Sequence, residues 1–190
     1  MNRWLPCISI SLLLLSGGLS SRVRADASFN KTVSLQGYSF QVQATGEGSQ
    51  QQLTILTKGG KRSIKPIRQA VDGRVVGAEV EDLDNNGRPE IFVFVQGAGS
   101  GSYGQVVAYS VINGDQLSPI SLPELSGAPA KGYMGHDKFA IVENCLERRF
   151  PIYKPNDSNA TATGGERQIC YKLKAGEAGW LLKPTSVLQF

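Results

Sequence analysis

"EIFVFVQGAGSGSYGQVVAYSVI", residues 90–112, carries Gly99, Gly101 and Gly104 in the spacing G-x-G-x-x-G. That spacing marks a dinucleotide-binding unit only when a helix follows, because the pyrophosphate rests on the helix N-terminus. Here the glycines are followed by Gln105-Val106-Val107-Ala108-Tyr109-Ser110-Val111-Ile112, rich in β-branched and aromatic residues. This is the composition of a strand, so the nucleotide reading fails on context. Residues 91–95 are apolar at every position, which predicts a central strand covered on both faces. Its own domain is the simplest cover; a second chain or a loop over the outer face is the alternative.

Outward from this pair, short β-rich runs recur between turn signals: KTVSLQ, YSFQVQAT, QLTILTK, RVVGAEVED, FAIVEN, ERQICYKL and WLLK. Many alternate apolar and polar residues, as in Tyr38-Ser39-Phe40-Gln41-Val42, and none has a long helical period. Turns at Lys58-Gly59-Gly60, Asn86-Gly87 and Asn113-Gly114 fall between them. The pattern predicts an all-β fold, an antiparallel β-sandwich or barrel of roughly eight to ten strands.

Residues 1–25 have the form of a secretory signal: Arg3, an apolar run over residues 8–15, then Val23-Arg24-Ala25 as a small-residue cleavage site. The apolar run is too short to span a bilayer, and no later stretch approaches the length a transmembrane helix needs. Cys7 precedes the apolar run, so a lipoprotein anchor is not expected. The reading is therefore an exported, periplasmic protein with one domain over residues 26–190 and no membrane anchor after cleavage. Loss of Arg3, Arg22 and Arg24 takes the 20 Lys and Arg down to 17, against 16 Asp and Glu. A near-neutral chain without basic blocks argues against a nucleic-acid partner.

Two cysteines follow the signal, Cys145 and Cys170, and in an exported chain they are expected to pair. Closing such a loop would stabilise the fold by roughly 3 kcal/mol in the chain-entropy view. Between them, "KPNDSNATATGGER" (residues 154–167) reads as a long exposed hairpin connection with the disulfide at its base.

The acidic stretch "DLDNNGRPE" places Asp82, Asp84, Asn86 and Glu90 at positions 1, 3, 5 and 9, a spacing able to wrap a hard cation such as calcium. The EF-hand scheme needs a bidentate Glu at position 12, where this chain has Val93, and a propeller-type hairpin would have to repeat. The preferred reading is a turn whose Asp and Asn side chains hydrogen-bond their own backbone, without a metal or other cofactor. The lone histidine, His136, has no sequence partner for nucleophilic catalysis, and the acidic residues reveal no substrate groove for glycoside hydrolysis. A non-enzymatic protein is expected.

Two stretches, residues 82–111 ("DLDNNGRPEIFVFVQGAGSGSYGQVVAYSV") and 132–153 ("GYMGHDKFAIVENCLERRFPIY"), resemble the bacterial periplasmic inhibitors of i-type (invertebrate) lysozyme. Together they cover about a third of residues 26–190. The resemblance implies a β-sandwich that inhibits lysozyme by placing the Ser100-Gly101-Ser102-Tyr103 loop in the active-site cleft. Ser100 and Tyr103 would make the contacts, with Gly101 and Ser102 shaping the loop. The resemblance also suggests a homodimer, which would suit a strand apolar on both faces. On physical grounds alone, Gly97 and Gly104 bound eight residues of which four are glycine, longer than a tight hairpin requires. Fully extended, half of that loop would reach on the order of 13 Å outward.

Overall fold

The computed structural model describes residues 28–176 and 179–190, so the signal reading of residues 1–25 lies outside the described residues. The first sheet has four strands, β1 (Phe29–Leu35), β2 (Tyr38–Thr45), β3 (Gln50–Lys58) and β4 (Ile67–Asp72), paired in chain order. The second has eight: β5 (Arg74–Glu81), β6 (Glu90–Gln96), β7 (Gly104–Ile112), β8 (Gln116–Ser121), β9 (Lys138–Val142), β10 (Cys145–Pro151), β11 (Glu166–Gly176) and β12 (Gly179–Gln189). Its order is β5-β6-β7-β8-β12-β11-β10-β9, and Cys145 is disulfide-bonded to Cys170. The expected all-β, two-sheet architecture with one disulfide is what forms, with twelve strands among the described residues. One pairing departs from the antiparallel rule: β8 and β12 run parallel, through Trp180 with Ile120 and Leu181 with Ser121.

Alternation explains how the layers stack. In β2 and β3, Phe40, Val42, Ala44, Leu53 and Ile55 point inward and meet Ile91, Val93 and Val95 of β6 together with Val75 and Ala78 of β5. The intervening β6 residues, Phe92 and Phe94, point the other way and meet Leu146 and Phe150 of β10, Ile169 and Tyr171 of β11 and Leu182 of β12. The eight-stranded sheet therefore curls until its second half covers its first. The four-stranded sheet closes the opposite face. β6 is buried on both sides within one chain, as its unbroken apolar run requires, so this strand gives no reason to invoke a second copy. Where the curled sheet nearly meets itself, the Ile141 N–H of β9 donates to Glu79 Oε2 of β5 at 2.7 Å.

Two-residue turns with positive φ, Gln36-Gly37 and Glu143-Asn144, set the β1–β2 and β9–β10 hairpins. The expectation for residues 154–167 needs correction. Cys145 starts β10 while the loop follows Pro151, so the β10–β11 pairs from Arg148 with Ile169 to Pro151 with Glu166 separate the disulfide from the loop. The loop base is held instead by Gly164 N–H to Ile152 O and Ile152 N–H to Gly165 O, each 2.8 Å. Its tip is held by Asp157, which accepts from the Lys154 and Thr163 amides at 2.7 and 2.8 Å. Among the described residues no helix is long and apolar enough to cross a membrane.

Candidate functional site

The glycine-rich loop joins β6 to β7 and is more compact than an extended arm. The Gly97 N–H donates to Tyr103 O at 2.9 Å, continuing the β6–β7 ladder by one step. Inside that closure the Ser102 N–H donates to Gly99 O at 2.8 Å, and Ser102 takes a left-handed φ of 42°. Five residues are left to project, so the 13 Å reach of a fully extended loop is not realised.

A second loop explains why. Tyr133, Met134, Gly135 and His136 pack beneath the first, and the His136 N–H donates to Gly101 O at 2.6 Å. Gly135 sits at φ 91°, where an added Cβ would lie 2.0 Å from Gly101 O. The two backbones touch because neither residue has a side chain. The glycines thus serve close backbone packing as well as turn geometry.

Tyr103 stands at the loop's end, 53% exposed, with Ser100 also exposed and Gly101 buried. The Tyr103 ring meets Tyr133 edge-on, centroids 5.5 Å apart. Below lies a buried polar network. Asp137 Oδ2 accepts from the Gly104 N–H at 2.8 Å and from the Tyr133 hydroxyl at 2.5 Å, while Oδ1 accepts from Arg148 Nε at 2.7 Å. Arg148 Nη2 also donates to the Tyr133 hydroxyl at 2.7 Å. The Arg148 and Asp137 side chains are 7% and 0% exposed.

Burial works against the Arg148 charge, but the Asp137 carboxylate outweighs it and the guanidinium pKa rises. Burial, reinforced by the hydrogen bond to Asp137, pushes the Tyr133 hydroxyl pKa well up, so it stays neutral. Alternation offered one signal for this network: Arg148 occupies the inward face of β10 between the buried Leu146 and Phe150.

Beside Tyr103 runs a groove of about 400 Å³ whose walls mix apolar residues, Val106, Leu122, Pro123 and Leu125, with Glu124 and Arg148. Met134 lies exposed on the neighbouring loop. The loop of residues 97–104 carries no charged side chain, so it can approach a carboxylate without repulsion. It offers the Ser100 and Tyr103 hydroxyls as hydrogen-bond donors.

The acidic turn lies at the other end of β6 and is not brought to this loop. Asp82 Oδ1 accepts from the Asn86 N–H at 2.9 Å, and its Oδ2 from the Gly87 N–H at 2.8 Å and Gln36 Nε2 at 2.6 Å. Burial alone would raise the Asp82 pKa; these hydrogen bonds lower it below the usual carboxylate value. Asn86 donates to Asp84 Oδ2 at 2.9 Å and accepts from the Arg88 N–H at 2.8 Å. Glu90 is fully buried, accepting from the Leu83 N–H and the Ser110 hydroxyl, each at 2.8 Å. Carboxylate oxygens of Asp82, Asp84 and Glu90 come within 4.8 Å of one another. Turn amides and neighbouring side chains donate to these oxygens, and the Asn86 side-chain oxygen accepts from the Arg88 N–H, so the turn bonds to itself.

His136 contributes its backbone to the loop platform, and its ring stacks on Tyr153 with centroids 6.2 Å apart. Its Nε2 is buried without a hydrogen-bond partner.

No protein-family model, curated protein or solved structure matches the chain.

Proposed function

We propose that this protein is an exported inhibitor of i-type lysozyme that protects the cell wall of a Gram-negative bacterium by occupying the enzyme's active-site cleft with residues 97–104. The observation that carries the reading is the exposed Tyr103 at the end of an uncharged loop seated on a buried platform. A lysozyme cleft holds two carboxyl groups. The Ser100 and Tyr103 hydroxyls satisfy such groups in place of substrate. Hydrogen bonds to charged groups contribute roughly 1.5–3 kcal/mol each. The two together supply at most about half of the ~12 kcal/mol of nanomolar binding. The rest is assigned to contact of the enzyme with Tyr103, a residue type enriched at interface hot spots, and with the apolar part of the groove beside it.

The test is inhibition. The mature protein should abolish i-type lysozyme activity at about stoichiometric amounts, with c- and g-type enzymes as the comparison. Ser100→Ala combined with Tyr103→Ala should weaken inhibition about tenfold or more. Full inhibition by the double variant rejects the loop mechanism, and an inactive wild type rejects the function.

The clustering of Asp82, Asp84 and Glu90 supports one other reading, a calcium-dependent extracellular binding module. Calorimetric titration with calcium decides it: the absence of both binding heat and a shift in melting temperature would remove that reading.

A further inference from the structure

Burying an ion pair is not a route to stability, since apolar residues of the same volume commonly serve as well or better. Yet Asp137 and Arg148 are buried directly beneath the loop, and the carboxylate accepts from the amide of the residue that follows Tyr103. Gly104 has no room to move toward this carboxylate: an added Cβ would lie 2.6 Å from Asp137 Cβ and 2.6 Å from the Phe139 ring. Tyr133 links both halves, its hydroxyl in the ion pair and its ring edge against Tyr103.

We propose that Asp137, Arg148 and Tyr133 are positioning residues that hold the loop of residues 97–104 in one shape before any enzyme is met. The inference rests on the inhibitor reading for its purpose. Its chemistry is that of preorganisation: ordering a loop in advance removes the entropic cost of ordering it on binding. The pair supplies a directional anchor that apolar packing lacks. Asp137 has two oxygens accepting from three donors on three segments, Gly104, Tyr133 and Arg148.

The decisive variant carries Asp137→Leu with Arg148→Met, which keeps the outline of both side chains and removes the anchor. Melting temperature, backbone order parameters and exchange of the Gly104 amide are read on the free protein, and inhibition is read separately. In the wild type the order parameters of residues 99–104 should be near the rigid value of about 0.85; values below about 0.6 would overturn the proposal. In the double variant the fold should persist, the order of these residues should fall below about 0.6, and Gly104 exchange should accelerate about tenfold or more. Inhibition should weaken about tenfold.

A folded double variant with wild-type loop order overturns the proposal, even if inhibition falls. Should the double variant not fold, Tyr133→Phe decides, since it keeps the ring and removes only the hydroxyl. Faster Gly104 exchange supports the positioning role and unchanged exchange overturns it. A wild type that leaves lysozyme active removes the inhibitor reading, while the loop measurements still judge the positioning.

Discussion

Arg148→Ala should lower stability by about 3–5 kcal/mol, the cost of leaving one buried charge without its partner. The Asp137 side chain it abandons is fully buried and would keep only the Gly104 amide and the Tyr133 hydroxyl. The guanidinium also lies 4.9 Å from the Tyr133 ring centroid and 5.7 Å from those of Phe139 and Phe150, so its removal opens a gap in the second core. At about 2–4 °C per kcal/mol for a domain of this size, the melting temperature should fall by roughly 6–20 °C. Urea unfolding followed by tryptophan fluorescence checks this, and a loss under about 1 kcal/mol would mean that the pair behaves as a solvated surface contact. Exchanging both members for apolar residues should cost far less, because no charge is left stranded.

Stability should also rise as the solution is acidified from pH 8 to pH 5. Burial lifts the Glu90 carboxyl from 4.5 to about 7, the charges of Asp84 and Asp82 add to the rise, and the bonds from Leu83 and Ser110 oppose it. A carboxyl whose folded pKa lies above its unfolded value binds its proton more tightly in the native state. Its contribution is complete below about 4.5 and is lost as pH rises through about 7. The size is on the order of 2–3 kcal/mol.

Glu90→Gln should flatten the dependence in that window and leave the protein more stable at pH 8. The Gln oxygen can accept from the Leu83 amide, and the Ser110 hydroxyl can turn to accept from the new amide. Thermal unfolding of both proteins at pH 5, 6, 7 and 8 provides the measurement, and parallel curves would sink the assignment. Asp82 works in the opposite sense at lower pH, since its carboxyl is held below 3.8 and its contribution is lost on further acidification.

What could be read from the amino acids follows from which forces are local. The β6 and β7 strands announce themselves through β-branched and aromatic runs, and the pair Cys145 and Cys170, read with the signal-like residues 1–25, points to the disulfide that forms. β4, β8 and β10 were not legible, each for its own reason. β4, "IRQAVD", buries only Val71 deeply. β8 contains Pro119 between Ser118 and Ile120, a residue that weakens a strand reading. β10 breaks its inward apolar face with Arg148, whose burial makes sense only once Asp137, eleven residues earlier, is known to meet it. The loop's reach failed for a related reason: Gly101 and Gly135 touch across 34 residues of chain, and nothing local signals that docking. The amino acids single out Ser100 and Tyr103 as candidates, while nothing local in them signals the platform beneath.

β6 sends Ile91, Val93 and Val95 into one core and Phe92 and Phe94 into the other. A single five-residue run therefore couples the two layers of packing in time as well as in space. Neither core can be completed until this strand is placed, and neither can melt without stripping cover from the strand that serves the other. The molecule should consequently open as one cooperative unit rather than layer by layer. Its assembly should be slow, because the side chains that cover β6, from β2 and β3 on one face and from β10, β11 and β12 on the other, lie far from it along the chain and their closure entropy is spent before the packing is gained.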